Sequence, residues 1–212
     1  MGSKERRERE RDLIRVRIMD AARELFAAEG YEGVSMRAIA EKIEYSPTVI
    51  YQYYRDKEAL IRELCYADFA KLVEELAETQ QIADPRERIL ACGMAYARFG
   101  INYPNHYRLM FMMGHYPIEH DEAEMAEIKG NPDSDAYALL LSQIQAAAAA
   151  GLLRDPQADP QLVAQTVWAG MHGVVSLQIA QACNEWTAWL PFEQRVRTML
   201  LVLAAGLFKE TD

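Results

Sequence analysis

The residues that start helices constrain the fold of this chain more than any other feature of its sequence. Proline follows a capping residue at Ser46-Pro47, Asp84-Pro85 and Asp159-Pro160, and this pair is typical of the first turn of an α-helix. Between such points apolar residues recur at helical spacing, as in residues 18–26, and no segment shows the sustained alternation that predicts strands. The chain is therefore predicted to be all-α, with about nine helices.

Local signals also give approximate helix bounds. Gly30 is expected to end the first helix with a left-handed residue, Ser35 to cap the second through about Ile43, and Asp56 to cap the fourth. Further helices are predicted over 85–102, 104–114, 134–150, 160–184 and 191–209. Residues 115–133 are acidic and contain proline and glycine, so they are predicted to be irregular.

Length and charge limit the classes of partner. The 212 residues are 50% hydrophobic, enough for one folded domain or two small ones. The net charge is −9, but residues 1–60 carry 12 basic and 12 acidic side chains, so the excess negative charge lies in residues 61–212. A polyanionic partner must therefore meet the N-terminal quarter.

The sequence favours a soluble, cytoplasmic protein. Cys65, Cys92 and Cys183 are too few and too scattered for a disulfide framework or a zinc site, which suits reduced thiols inside a cell. Residues 1–12 are too charged for a secretory signal, and the longest clean apolar stretch, residues 199–208, is too short to span a bilayer. We expect no metal site and no cofactor.

Helices two and three form the most informative pair. Two short helices joined by three or four residues, the second beginning at a serine, are typical of a helix-turn-helix unit, whose second helix can enter a DNA major groove. An ordinary helical hairpin has the same spacing. The spacing alone therefore leaves both interpretations open.

The identities of residues 18–64 favour one interpretation, which the helix spacing alone does not. Residues 18–64 read IMDAARELFAAEGYEGVSMRAIAEKIEYSPTVIYQYYRDKEALIREL. This stretch resembles the N-terminal DNA-binding region of TetR-family transcriptional regulators. Residues 168–173, WAGMHG, and residues 107–111, YRLMF, look like elements of the subgroup whose C-terminal domain carries a Trp…His-Gly signature.

The resemblance implies an N-terminal helix-turn-helix domain over 1–56 and a ligand-binding and dimerisation domain over 57–212. It implies a regulator rather than an enzyme, in most cases a repressor, which binds a pseudo-palindromic operator as a homodimer through its last two helices and leaves it when a small molecule binds. Those last two helices are apolar on more than one face, as a helix with a second partner requires.

Matching positions imply a set of DNA contacts. Tyr51 and Lys57 match phosphate contacts, and Arg37 matches a position that can reach a guanine edge. The groove-facing positions include Gln52, which can pair with adenine, and Thr48, whose methyl can touch a thymine methyl. The full set is Ser35, Arg37, Pro47, Thr48, Val49, Tyr51, Gln52, Tyr53 and Lys57. The alternative is that Tyr51, Tyr53 and Tyr54 form the core of a small domain.

One position departs from the family pattern. The turn between helices two and three usually carries glycine, and this chain has Glu44. If Glu44 is left-handed, its Cβ costs about 1 kcal/mol, and the turn can differ slightly from that of relatives.

Aromatic and sulfur-containing side chains are dense in residues 96–116, and Trp168, Met171 and His172 follow later. Methionine adapts to irregular shapes, and tyrosine or histidine can give an apolar cavity a polar end. We expect a pocket for a small apolar or aromatic effector. The lining residues are expected to be Tyr103, His106, Tyr107, Phe111, Trp168, Met171 and His172. Ordinary helix packing is the alternative for each.

Three other interpretations stay open. The charged stretch from Lys4 to Asp12 is either an arm that contacts DNA or an extension of helix one with internal ion pairs. An all-helical enzyme or metal or small-molecule carrier would also suit the Met- and His-rich region, although no Glu-x-x-His pair of a di-iron bundle is present. A regulator of this fold without ligand response is the third.

Overall fold

The computed structural model describes residues 3–113, 116, 122–181 and 185–210. Over these residues the chain is all-α, as predicted, and contains no strand beyond an isolated bridge between Leu153 and Phe208. The described α-helices are α1 Ser3–Gly33, α2 Met36–Lys42, α3 Pro47–Tyr51, α4 Lys57–Ala77, α5 Pro85–Asn102, α6 Pro104–Tyr107, α7 Glu122–Ile128, α8 Ala136–Ala149, α9 Pro160–Gln181 and α10 Phe192–Leu207. A 3₁₀ turn, Glu78–Gln81, follows α4, and a π-helical turn, Arg108–Met112, follows α6.

Side-chain caps begin several helices where the sequence predicts them. The Ser35 hydroxyl accepts a hydrogen bond from the amide of Ala38 at 3.1 Å, and the Asp56 carboxylate accepts one from Ala59 at 2.7 Å. Asp84 accepts bonds from the amides of Arg86 and Glu87. These bonds satisfy amides of the first turn that have no partner inside the helix.

Two stretches differ from the prediction. Residues 115–133 are not irregular throughout, because α7 occupies Glu122–Ile128; its sequence, EAEMAEI, consists mostly of good helix formers. The helix expected over 104–114 is instead the short α6 followed by the π-helical turn. The backbone hydrogen bonds change there from a spacing of four residues to a spacing of five. The predicted ends at Gly114 and Asn184 lie outside the described residues.

The first helix changes direction at Gly30. Its backbone has φ 76° and ψ 167°, a region that is open almost only to glycine. The sign of φ agrees with the prediction, but ψ lies outside the left-handed helical region, and the helix resumes and continues to Gly33 instead of stopping. At the other end, residues from Ser3 onward are helical, with ion pairs between Lys4 and Glu8 and between Arg6 and Glu10. The helical extension with internal ion pairs is therefore the form that the structure has.

The chain divides into two compact units. Unit 1 contains Met1–Asp68 and Asn105–His120, and unit 2 contains Phe69–Pro104 and Asp121–Asp212. Unit 1 extends beyond residue 56 because Leu60, Ile61 and Leu64 of α4 are fully buried in its core. That core also holds Leu109 of the π-helical turn, so a segment distant in the sequence completes it.

Unit 2 is a helical bundle in which α5, α8, α9 and α10 pack against one another. Its buried residues include Ile89, Ile144, Ala164 and Val167. Gly170 permits the contact of α9 with α10, since a Cβ there would lie 3.3 Å from side-chain atoms of both Met199 and Leu203. Small residues at this position let the two helix backbones approach closely.

Candidate nucleic-acid interface and effector site

Helices α2 and α3 form a helix-turn-helix unit with distinct inner and outer faces. Ile39 and Ala40 of α2 and Ile50 of α3 are fully buried and fix the pair against the core of unit 1. The turn is closed by a bond from the Tyr45 amide to the Ala40 carbonyl at 2.9 Å. Ser46 occupies the N-cap position of α3, as predicted, but among the described residues its hydroxyl makes no capping bond.

Glu44 adopts the left-handed conformation that the sequence raised as a possibility. Its φ is 62°, and it is the one residue other than glycine with a positive φ in the part of the chain that the structure describes. A side chain with a Cβ is strained in this conformation, because the Cβ approaches the following carbonyl oxygen.

Replacing Glu44 by glycine is therefore expected to raise the free energy of unfolding by up to about 1 kcal/mol, less the extra entropy that glycine gives the unfolded chain. Urea denaturation followed by circular dichroism measures the change. Glu44→Ala is the control, since it removes the same carboxylate and keeps the Cβ. An equal gain in both variants would assign the effect to charge and contradict a backbone cause.

The predicted DNA contacts differ in exposure. Ser35, Arg37, Thr48, Tyr51 and Gln52 are exposed, and the Tyr51 ring is 54% accessible. Pro47, Val49, Tyr53 and Lys57 are half-buried. The turn and the ends of α2 and α3 thus present hydroxyl, amide and guanidinium groups of the kinds that bind phosphates and base edges.

Arg37 lies within α2 and is paired with Glu41 in the same helix. The Nε of Arg37 is 2.9 Å from the Glu41 carboxylate, and 79% of the Arg37 side chain is exposed. An exposed ion pair of this kind contributes at most about 1 kcal/mol to stability. The Arg37 guanidinium can therefore leave Glu41 and bind a stronger hydrogen-bond acceptor.

The three tyrosines at the end of α3 and directly after it have different surroundings. Tyr54 is buried, and its hydroxyl donates to the Glu63 carboxylate at 2.9 Å. The same carboxylate accepts a hydrogen bond from Arg15 at 2.8 Å. Burial raises the pKa of the Tyr54 hydroxyl, so it stays a donor. Tyr54 is therefore core, Tyr53 is half-buried with the Arg11 guanidinium 5.9 Å from its ring centre, and Tyr51 is exposed.

The Lys57 ammonium points toward the end of α1. It donates to the carbonyl of Tyr31 at 2.7 Å and to that of Val34 at 3.0 Å, and it lies 4.1 Å from the centre of the Tyr31 ring. Two of its three N–H donors are thus directed to the protein itself.

A buried ion pair in unit 1 was not predicted from the sequence. Arg23 of α1 donates from Nε and Nη2 to the Asp68 carboxylate, with Nη2 and Oδ1 2.8 Å apart, and both side chains are buried. His106, one of the expected effector residues, has its Nε2 3.9 Å from Asp68. One signal was available: Asp68 continues the four-residue spacing of Leu60 and Leu64, which places a carboxylate on the core-facing side of α4.

The expected effector residues are divided between the two compact units. Tyr103, Trp168, Met171 and His172 belong to unit 2, whereas His106, Tyr107 and Phe111 belong to unit 1. Tyr103 packs on Phe99, with the ring centres 5.4 Å apart. Tyr107 is fully buried beside Phe111, and Met171 is almost fully buried. Packing therefore accounts for much of the environment of Tyr107 and Met171.

Trp168 and His172 do meet, around a residue that was not in the predicted set. The Trp168 indole donates to the hydroxyl of Tyr96 at 3.1 Å, and this hydroxyl lies 3.4 Å from Nδ1 of His172. Burial lowers the pKa of His172, so its ring is neutral at pH 7. The sequence places Trp168 and His172 on one helix face, but Tyr96 is 72 residues away from Trp168, and no local pattern links them.

The described residues also limit two other kinds of site. Among them, no helix is long and apolar enough to cross a membrane. The same residues contain no group of three or more His, Cys, Asp or Glu side chains placed to hold a metal ion.

These elements define a helix-turn-helix protein with a second, larger helical unit. The family model for bacterial regulatory proteins of the tetR family matches residues 18–64, and the model for the tetracyclin repressor-like C-terminal domain matches residues 89–200. The second match alone spans more than half of the chain. The chain belongs to the TetR family, a family of regulatory proteins and not of enzymes.

Individual relatives agree with this assignment. The HTH-type transcriptional regulator YobS of Bacillus subtilis is 28% identical over 103 residues, 49% of this chain and 54% of YobS. The HTH-type transcriptional repressor AcnR of Corynebacterium diphtheriae is 32% identical over 80 residues, 38% of this chain and 42% of AcnR. The matched region thus spans about half or less of these relatives.

A solved structure has the same fold over nearly the whole chain. The TetR family transcription regulator from Marinobacter aquaeolei VT8 superimposes with a TM-score of 0.74, covering 96% of this chain and 100% of that one. The identity is 20%, so the likeness extends to the fold and not to a specific ligand or operator.

Proposed function

We propose that the protein is a ligand-responsive transcriptional regulator, a repressor, that binds a pseudo-palindromic DNA operator as a homodimer in the cytoplasm. The observation that carries the proposal is the outer face of α2 and α3. It exposes Arg37, Thr48 and Gln52, whereas the inner face of the same helices is buried. The repressor AcnR is among the similar proteins, which favours repression over activation.

The proposed division of labour assigns different contacts to different side chains. Tyr51, Lys57 and Ser35 contact phosphates. The Ser35 oxygen accepts its capping bond, so the hydroxyl hydrogen can be donated outward. Arg37, Pro47, Thr48, Val49, Gln52 and Tyr53 face base edges. Residues 1–56 carry the reading function, and residues 57–212 carry dimerisation and effector binding.

The outer α9–α10 face supports the proposed homodimer. Large apolar side chains are exposed there: Leu162 and Leu177 on α9, and Leu201 and Val202 on α10. Gly173 and Gly206 lie on these two helices, and a Cβ added to either would meet nothing within 4 Å in its own protomer. Exposed apolar residues interspersed with small ones suit close packing against the same helices of a second copy.

The effector is proposed to be a small apolar or aromatic compound bound by the larger domain. The cluster of Tyr96, Trp168 and His172 supplies hydrogen-bonding groups beside aromatic faces. The neutral imidazole favours an uncharged or hydrogen-bond-accepting group over a cation. Effector binding must favour a dimer geometry in which the two helix-turn-helix domains no longer match the operator.

Selection of bound duplexes from a random DNA pool tests the proposed function. The expected product is one inverted repeat whose half-sites are separated by about one helical turn or a multiple of it, roughly 34 Å per turn. A compound library added to the selected duplex should then contain apolar or aromatic molecules that release the protein. Recovery of no preferred duplex would contradict the DNA-reading role, and release by none of the compounds would favour a regulator without ligand response.

A further inference from the structure

A cleft beside the end of α10 brings together three cationic side chains of unit 2. It lies between the start of α5, the connection from α8 to α9 and the residues that follow α10, and its volume is about 410 Å³. This volume is within the range of small-molecule sites. The positive charge comes from Arg86, Arg154 and Lys209, and the apolar surface comes from Leu90, Ala204 and Phe208. These residues define the C-terminal cleft.

Backbone hydrogen bonds fix the positions of two of the cations. At the isolated bridge, the segment after α10 pairs with the connection from α8 to α9. The Arg154 amide donates to the Leu207 carbonyl at 2.8 Å, and the Lys209 amide donates to the Leu152 carbonyl at 3.0 Å. The Lys209 ammonium also donates to the Gly151 carbonyl at 2.8 Å, which uses one of its three N–H donors. Because the backbone of both cations is held in advance, less entropy is lost when a ligand binds between them.

The third cation, Arg86, has a buried donor that the protein does not satisfy. Arg86 lies in the first turn of α5, and its guanidinium carbon is 5.4 Å from the centre of the Phe208 ring. Its Nε atom is buried and has no hydrogen-bond partner among the described residues. Buried N–H groups are nearly always paired, because an unpaired one has lost its bonds to water without a replacement. An acceptor bound in the cleft would supply the missing bond.

Positive charge is in excess among the described residues that line the cleft. Glu210 also lines it, but its side chain is 95% exposed and its carboxylate is 4.0 Å from the Arg154 guanidinium. The nearby Asp84 carboxylate accepts hydrogen bonds from the amides of Arg86 and Glu87, so it already occupies the N-terminus of α5. An anion in the cleft must therefore be held by the cationic side chains and not by the end of a helix.

We propose that the C-terminal cleft binds a small organic anion, a carboxylate or a phosphate ester with a compact apolar group. The three cations hold the charged group, and Leu90, Ala204 and Phe208 contact the apolar group. Carboxylate and phosphate oxygens match the two parallel N–H donors that a guanidinium presents. The inference goes beyond the proposed function, because the site lies within unit 2, needs no DNA and prefers a charged ligand, unlike the proposed effector cluster.

Isothermal titration calorimetry of the full chain without DNA tests the proposal, with phenyl phosphate and benzoate as the two probes. At least one probe is expected to bind one site per protomer with a Kd of about 1 mM or lower, and the tighter one identifies the charged group. Inorganic phosphate and formate are the matching anions without a ring, and each should bind more weakly than its aromatic counterpart. Saturable binding by neither probe would overturn the proposal, as would equal affinity for the anions with and without a ring.

Arg86→Gln tests whether the bound anion occupies this cleft. The loss of charge-assisted hydrogen bonds should weaken the tighter probe by at least about tenfold. Arg98→Gln is the matched control, since Arg98 is an exposed residue of the same helix about 18 Å further along it. It removes the same charge and should leave the affinity unchanged. Equal losses in the two variants would assign the effect to net charge and reject the cleft as the site.

A measurement on the unaltered protein covers the case in which Arg86→Gln does not fold. The ¹H–¹⁵N signal of the Arg86 Nε–H group is followed by NMR during titration with the tighter probe. It is expected to move downfield and to saturate at the calorimetric Kd, because the group gains an ionised acceptor. Uncharged benzyl alcohol should leave the signal in place. A signal that does not move at saturating anion, or that moves equally with benzyl alcohol, would overturn the proposal.

Discussion

Gly206→Arg is expected to convert the proposed dimer to a monomer and to weaken operator binding by at least about 100-fold, because a monomer loses the second half-site and with it the gain from binding two linked sites. Gly206 lies in α10 on the outer α9–α10 face, and a Cβ there meets nothing within its own protomer. Arginine is a better helix former than glycine, so the protomer fold should be retained. In the dimer, by contrast, the long charged side chain would enter an apolar contact between helices.

The oligomeric state is measured by analytical ultracentrifugation at micromolar concentration, and operator affinity by titration. Ala146→Arg is the matched control: Ala146 is an exposed residue of α8, which does not contribute to the outer α9–α10 face. It introduces the same side chain in the same unit and should leave both the dimer and its affinity unchanged. A Gly206→Arg protein that remains a stable dimer would contradict the proposed interface.

Arg37→Ala is expected to weaken operator binding by about 1 to 3 kcal/mol for each half-site, while binding to a scrambled duplex falls much less. The hydrogen bonds of the guanidinium to a guanine edge form only on a duplex with guanine at that position, whereas its charge attracts the phosphates of any duplex. Arg37 is exposed and forms a surface ion pair with Glu41, so it can reorient toward a base at small cost.

Two further variants distinguish contacts with bases from contacts with phosphates. Tyr51→Phe removes one hydroxyl from an exposed ring and should weaken binding about equally on both duplexes, as expected for a phosphate contact. Glu41→Gln removes the partner of Arg37 and one negative charge, so operator binding should not weaken. Equal losses on both duplexes for Arg37→Ala, and likewise for Thr48→Ala, Gln52→Ala and Tyr53→Ala, would contradict the division into base-reading and phosphate-contacting residues.

Local signals in the sequence were enough for several helix starts, whereas the helix-turn-helix unit was identified by its resemblance to a family. Ser35, Asp56 and Asp84 cap their helices because a short polar side chain reaches an amide two or three residues later. The left-handed conformation of Glu44 was raised as a possibility because the family that the sequence resembles usually has glycine in this turn. Helix caps, by contrast, depend only on neighbours in the chain and can be recognised from the order of residues alone.

Contacts between distant residues account for most of what was missed. The π-helical turn places Leu109 in the core of unit 1, although its sequence looks like any apolar helix. Arg23 and Asp68 are 45 positions apart, and Lys57 is 26 and 23 positions from Tyr31 and Val34, whose carbonyls it binds. The helical spacing of Asp68 indicates its core-facing position, but no periodicity or motif identifies the partners in these contacts, because they depend on how the helices pack.

Insertion of five base pairs at the centre of the selected operator tests most directly whether one dimer reads two half-sites. The insertion turns one half-site by about half a helical turn relative to the other, so two reading heads fixed in one dimer can no longer meet both major grooves. Titration of the wild-type protein should then show a loss of affinity of at least about 100-fold relative to the unaltered operator. An affinity equal to that of the unaltered operator would contradict recognition by a two-headed dimer.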